Sequence, residues 1–103
     1  MDPIPVLIVD DEGQFVDAVV ERLRLRGFAA EGVTSGHDAM ELLNKKPFDV
    51  VLLDMKMPEM DGYQVIEILR KNERLKTIPI IAITASALKQ DEEVLTKLCD
   101  GYL

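Results

Sequence analysis

The sequence has a single cysteine, Cys99, so neither an intrachain disulfide nor a cysteine-based zinc cluster is available, and a reducing compartment is the expected setting. No apolar run approaches the roughly 20 residues needed to cross a bilayer. The opening Met1-Asp2-Pro3-Ile4-Pro5 is acidic, unlike the basic start of a signal peptide. No membrane partner is therefore expected, and the cytoplasm is the expected location. Basic residues are in deficit, 12 against 19 acidic ones, for a net charge of −7. Nucleic-acid binding rests on basic patches that neutralise phosphates, so no nucleic-acid partner is expected. The acidic surplus suits a site for a divalent cation, although ordinary surface acidity would look the same. The chain also lacks internal repeats, linkers and low-complexity tracts.

What is there is a core. Hydrophobic residues make up 48% of the 103, enough for one domain with one packed interior. Val6 to Val9 is a short apolar run that ends in Asp10, Asp11 and Glu12. Val16, Val19, Val20 and Leu23 follow at helical spacing, with Asp11 or Glu12 suited to the first turn and Gly27 as the stop. Phe28 to Val33 reads as a weaker strand, shortened by Gly32. Ser35 is the expected cap of a second helix that buries Ala39, Leu42 and Leu43 and closes at Pro47. Val50 to Leu53 reads as a strand buried on both faces. Asp61 is the expected cap of a third helix running through Asn72 and burying Val65, Ile68 and Leu69. Ile80 to Ile83 is the next buried strand, entered through Pro79 and left through Thr84. A fourth helix is expected from about Ala87 to Leu98, and Asp100-Gly101-Tyr102-Leu103 begins a last strand.

Strand and helix thus alternate with short connections, which indicates an α/β domain with a doubly wound parallel sheet. In such sheets ligands gather outside the carboxyl ends of the strands. Asp54 stands at one such end, either as a functional group or as an ordinary turn starter. The strand order 2-1-3-4-5 brings Asp10 and Asp11 beside it. Three crowded carboxylates repel one another, a cost that folding does not require. Mg2+ fits this donor set of hard oxygens with room for water and phosphate. For Asp10 and Asp11 the competing role is helix capping. Thr84, at the end of the fourth strand, either donates its hydroxyl to an anion held near Asp54 or caps the fourth helix, as Ser86 could equally do.

Three motifs, Val6-Leu7-Ile8-Val9-Asp10-Asp11-Glu12, the run Leu53-Asp54-Met55-Lys56-Met57-Pro58-Glu59-Met60-Asp61-Gly62, and Pro79-Ile80-Ile81-Ala82-Ile83-Thr84-Ala85, occur in order and at fixed spacing. With them the chain resembles the receiver domain of bacterial response regulators over residues 1–103, and the strand order is partly implied by this resemblance. The resemblance implies a flavodoxin-like fold with Asp54 as the phosphoacceptor. Asp11 would bind Mg2+ directly, Asp10 would support it through water or from behind the direct ligands, and the backbone carbonyl of Lys56 would be a further ligand. Thr84 would hydrogen-bond the phosphoryl group, Ala85 would leave access to it, and Tyr102 would be the switch aromatic. The phosphoryl donor would be a sensor histidine kinase or a phosphotransfer protein, with an output domain or effector downstream. Such a domain is a signalling phosphoacceptor rather than an enzyme, with at most self-phosphorylation and self-dephosphorylation.

The sequence departs from the family pattern at its end. A lysine, usually followed by proline and a fifth helix, would fall two residues beyond Leu103, and Leu98 stands where a glycine commonly ends the fourth helix. The expectation is a receiver domain incomplete at the C-terminus, with the last helix missing; a natural variant without that helix is the alternative. Part of one sheet face near the first helix should then be exposed and favour a dimer, a swapped dimer or an aggregation-prone monomer. His37 has no ligand set around it and reads as a solvent-exposed residue, and Met55, Met57 and Met60 as packing for the loop. Two other functions compete with the switch: a receiver-like interaction module that takes no phosphate, and a small Mg2+-dependent phosphohydrolase. The latter is disfavoured because the first strand lacks an acid-x-acid nucleophile arrangement.

Overall fold

A computed structural model describes residues 3–83, which form four strands and three helices in strict alternation. The expected fourth helix and last strand, with Thr84, Ala85, Ser86, Leu98, Cys99 and Tyr102, lie outside the described residues. The strands are β1 (Pro5–Val9), β2 (Ala29–Val33), β3 (Val50–Asp54) and β4 (Ile80–Ile83). The helices are α1 (Gly13–Leu25), α2 (Gly36–Lys45) and α3 (Gly62–Lys71). All pairings are parallel and the order is β2-β1-β3-β4, as expected for the four strands described. No helix among the described residues is long and apolar enough to cross a membrane.

The core has two layers because β1 and β3 are interior strands whose successive side chains point to opposite faces. Val6, Ile8, Val50 and Leu52 pack with Val16, Val19 and Leu23 of α1. Leu7, Val9, Val51 and Leu53 pack with Ala39 and Leu43 of α2 and Val65 and Leu69 of α3. The exposure expected of the α1 face is not found on β1 or β3. Their residues there are buried, because α1 covers them, and Ile81 of β4 is half-buried. Within β4, Ile80 and Ile81 are half-buried and Ala82 is exposed, less than the full burial that its composition predicted.

Local signals account for the helix ends. Gly27, at φ 93°, closes α1, with the Phe28 N–H donating to Leu23 O at 3.0 Å and the Gly27 N–H to Arg24 O at 3.1 Å. This is the two-bond termination that a left-handed glycine permits. The Ser35 hydroxyl accepts from the Asp38 N–H at 3.1 Å to cap α2. Asp61 and Gln64 exchange side chain-to-backbone bonds of 3.0 and 2.9 Å in a capping box that starts α3. Glu12 occupies the cap position of α1, but its side chain makes no cap hydrogen bond.

Several expectations need correction. β2 starts at Ala29 and runs straight through Gly32; a Cβ at Gly32 would collide with Val16, so the glycine admits α1 to the sheet rather than shortening the strand. Ile68 is 40% exposed and Leu42 only half-buried. In both helices the buried positions follow one spacing, Gly36, Ala39, Leu43 and Gly62, Val65, Leu69. The residue before the final leucine lies about 100° from that leucine around the axis. α3 ends at Lys71, with Asn72 as its cap.

Candidate functional site

The ladder register builds the site. Val9 pairs with Leu53 and Asp54 with Ile83, so the residue after β1, Asp10, comes level with the last residue of β3, Asp54. The Asp10 N–H donates to Val33 O at 3.2 Å, which extends the β1–β2 pairing into the site. Asp10 and Asp54 are both fully buried, whereas Asp11 is exposed. Carboxylate oxygens of Asp10, Asp11 and Asp54 all lie within 4.8 Å of one another.

The two buried aspartates solve the same local problem in the same way. Asp10 Oδ1 accepts from the Glu12 N–H at 2.9 Å, and Asp54 Oδ1 from the Lys56 N–H at 3.0 Å. Each is a turn in which an aspartate side chain stands in for a backbone carbonyl two residues before the donor. Turn-making and a place in the acidic cluster are thus compatible in both residues. Capping of α1 by Asp10 or Asp11 is not seen, because Glu12 holds that position.

Electrostatically the cluster is costly. Two carboxylates at such a separation repel by about 3 kcal/mol at an effective dielectric near 20. Hard oxygen donors, two of them anchored by backbone N–H groups and one open to solvent, are the donor set that a small divalent cation prefers. The chemistry of these donors therefore fits a small divalent cation such as Mg2+. Lys56 follows Asp54 by two positions, exposed, with its N–H committed to the Asp54 carboxylate. Thr84 and Tyr102 lie outside the described residues.

Beyond Lys56 the loop folds back on itself. Glu59 has φ 67° and the Met60 N–H donates to Pro58 O at 2.8 Å, a three-residue turn in the left-handed region. Met57 is buried, and Met55 and Met60 are half-buried against the α2–α3 side of the core, as expected for packing residues. His37 is exposed, also as expected. Sequence reasoning missed Gly62, which is buried against the Asp54–Met55 backbone. Gly62 closes the second of the three motifs, but nothing in the sequence alone shows which backbone it packs against.

The comparisons with known proteins agree with this geometry. The family model described as "Response regulator receiver domain" matches residues 6–103. The chain is 34% identical over 99 residues to a probable transcriptional regulator, ycf29, of Porphyra purpurea. That match covers 95% of this chain and 47% of the relative, so the chain spans about half of that protein's length. It is 32% identical to the polar-differentiation response regulator DivK of Brucella ovis, covering 95% of this chain and 80% of the relative. Among solved structures, the N-terminal domain of a response regulator receiver protein from Methanoculleus marisnigri superimposes with a TM-score of 0.76 at 34% identity, over 92% of this chain and 76% of that one. The chemotaxis response regulator CheY4 of Vibrio cholerae gives a TM-score of 0.74 at 28% identity, over 90% of this chain and 80% of that one. With the strand order, the paired acidic strand ends and these likenesses together, the chain belongs to the receiver domain family of two-component response regulators.

Proposed function

We propose that this receiver domain is a phosphorylation-controlled switch that takes a phosphoryl group on Asp54 with the help of Mg2+. The observation that carries the reading is the meeting of the Asp10, Asp11 and Asp54 carboxylates at one strand edge, within 4.8 Å. Asp11, Asp54 and the backbone carbonyl of Lys56 would hold the ion, and Asp10 would support it through water. Bound Mg2+ supplies neutralisation of the charge on the phosphoryl oxygens. A carboxylate oxygen of Asp54 forms the new bond to phosphorus while the bond from phosphorus to the donor's imidazole nitrogen breaks. The Lys56 N–H holds the Asp54 carboxylate in place for that in-line approach. The donor is a sensor histidine kinase or a phosphotransfer protein, and water later releases the phosphate. Roles for Thr84 as a hydrogen-bond donor to the phosphoryl group and for Tyr102 as the switch aromatic rest on the family's motifs alone.

The test is incubation with Mg2+ and a small acyl phosphate, followed by intact-mass measurement. The expected result is a gain of one phosphoryl group that Asp54→Asn abolishes. No gain at saturating donor would replace the switch with an interaction module that takes no phosphate.

A further inference from the structure

Gly62 opens α3 directly against the strand end that carries Asp54. A Cβ built on its backbone would lie 2.6 Å from Met55 Cα, 2.6 Å from Met55 Sδ and 2.8 Å from the Asp54 carbonyl oxygen, all inside the 3.0 Å that Cβ contacts respect. Met55 Cα and the Asp54 oxygen belong to the backbone and cannot rotate away. The contrast with other glycines is sharp: a Cβ at Gly36 meets only side chains, and one at Gly13 meets nothing within 4 Å. Glycine in a helix is about 1 kcal/mol less favourable than alanine, so a close approach of this kind is what the residue serves. Gly62 also ties its N–H to Met55 O at 3.3 Å. Met55 sits between Asp54 and Lys56, whose N–H holds the Asp54 carboxylate at 3.0 Å.

We propose that Gly62 is a positioning residue of the acidic site. Its missing side chain lets α3 begin against the Asp54–Met55 backbone and so keeps the Asp54 carboxylate within ion-sharing distance of Asp10 and Asp11. This deepens the phosphoacceptor reading and rests on it.

The experiment compares Gly62→Ala with Leu69→Ala, a buried change further along the same helix, and with Gly13→Ala. Two readouts are taken by NMR: the shift and exchange rate of the Lys56 amide in metal-free protein, and the Mg2+ dissociation constant from a titration followed at the same amide. Gly62→Ala is expected to move the Lys56 amide, speed its exchange and weaken Mg2+ binding about tenfold or more, the usual scale for residues that orient metal ligands. Leu69→Ala and Gly13→Ala are expected to leave both readouts within about twofold of the parent. Should Gly62→Ala not fold, the double variant Met55→Ala/Gly62→Ala removes the sulfur contact and keeps the backbone ones, and it should show the same displaced amide. An unmoved Lys56 amide in either folded variant, or an equal displacement in Leu69→Ala, overturns the proposal. Parent protein that binds no Mg2+ would overturn the phosphoacceptor reading instead, while the metal-free amide still decides the case of Gly62.

Discussion

The two ends of the sheet handle charge in opposite ways. At the carboxyl end, Asp10 and Asp54 are buried together with Asp11 alongside, like charge beside like. At the other end, a groove of about 430 Å³ runs over Leu43, Phe48, Leu75 and Ile78, with Lys45, Lys46 and Arg74 among the residues lining it. Each of these three cations has a local partner: Lys45 bridges to Glu41, Lys46 to Glu31, and Arg74 donates to carbonyls in the last turn of α2, Leu43 O at 3.3 Å and Asn44 O at 3.0 Å. Arg70 ties down the α3–β4 connection in the same manner, through Lys76 O and Ile78 O. One end pairs its charges with local partners; the other gathers three carboxylates within 4.8 Å of one another.

That contrast can be broken from either side. The largest effect is expected at the apolar end, where Phe48→Ala should cost about 3–5 kcal/mol in urea unfolding, because Phe48 is buried among Leu43, Leu75 and Ile78. A loss below about 1 kcal/mol would show that this end is not the stabilising one. Next, Mg2+ at one hundred times its dissociation constant should stabilise the parent by about 2.7 kcal/mol, seen as a rise in Tm. Asp11→Ala should erase that rise.

A smaller effect of opposite sign is expected from Asp54→Asn in metal-free buffer. The amide oxygen can still accept from the Lys56 N–H, while the repulsion with Asp10 disappears, so stability should increase by about 1–3 kcal/mol. A decrease would mean that the carboxylates are not in conflict. The smallest change is Glu59→Gly. Its left-handed φ of 67° suits glycine and strains glutamate, so the variant should gain about 1 kcal/mol by thermal melting.

Much of the centre of the molecule was legible in the sequence, because burial there follows simple periodicities. Val50 to Leu53 reads as an unbroken apolar run because β3 is covered on both faces. Ser35 and Asp61 announce their helices because a side-chain oxygen before an apolar repeat has one common use. The failures come from non-local packing. Ile68 satisfies an apolar spacing, yet the helix turns it away from the sheet because Gly62, Val65 and Leu69 define the contact line. Gly32 looks like a strand breaker until the neighbouring Val16 is known. The acidic cluster was legible only jointly: each aspartate alone is a turn residue, and strand order is what makes three of them one site.

The registration of β1 on β3 has a consequence for how this site tolerates insertions and deletions. Because Asp10 reaches Asp54 by counting along a ladder whose side chains alternate sides, its placement is digital. A single residue added or removed within either strand would not loosen the cluster by degrees; it would throw one aspartate onto the opposite face. Length changes outside the two strands, by contrast, leave this count along the ladder unchanged.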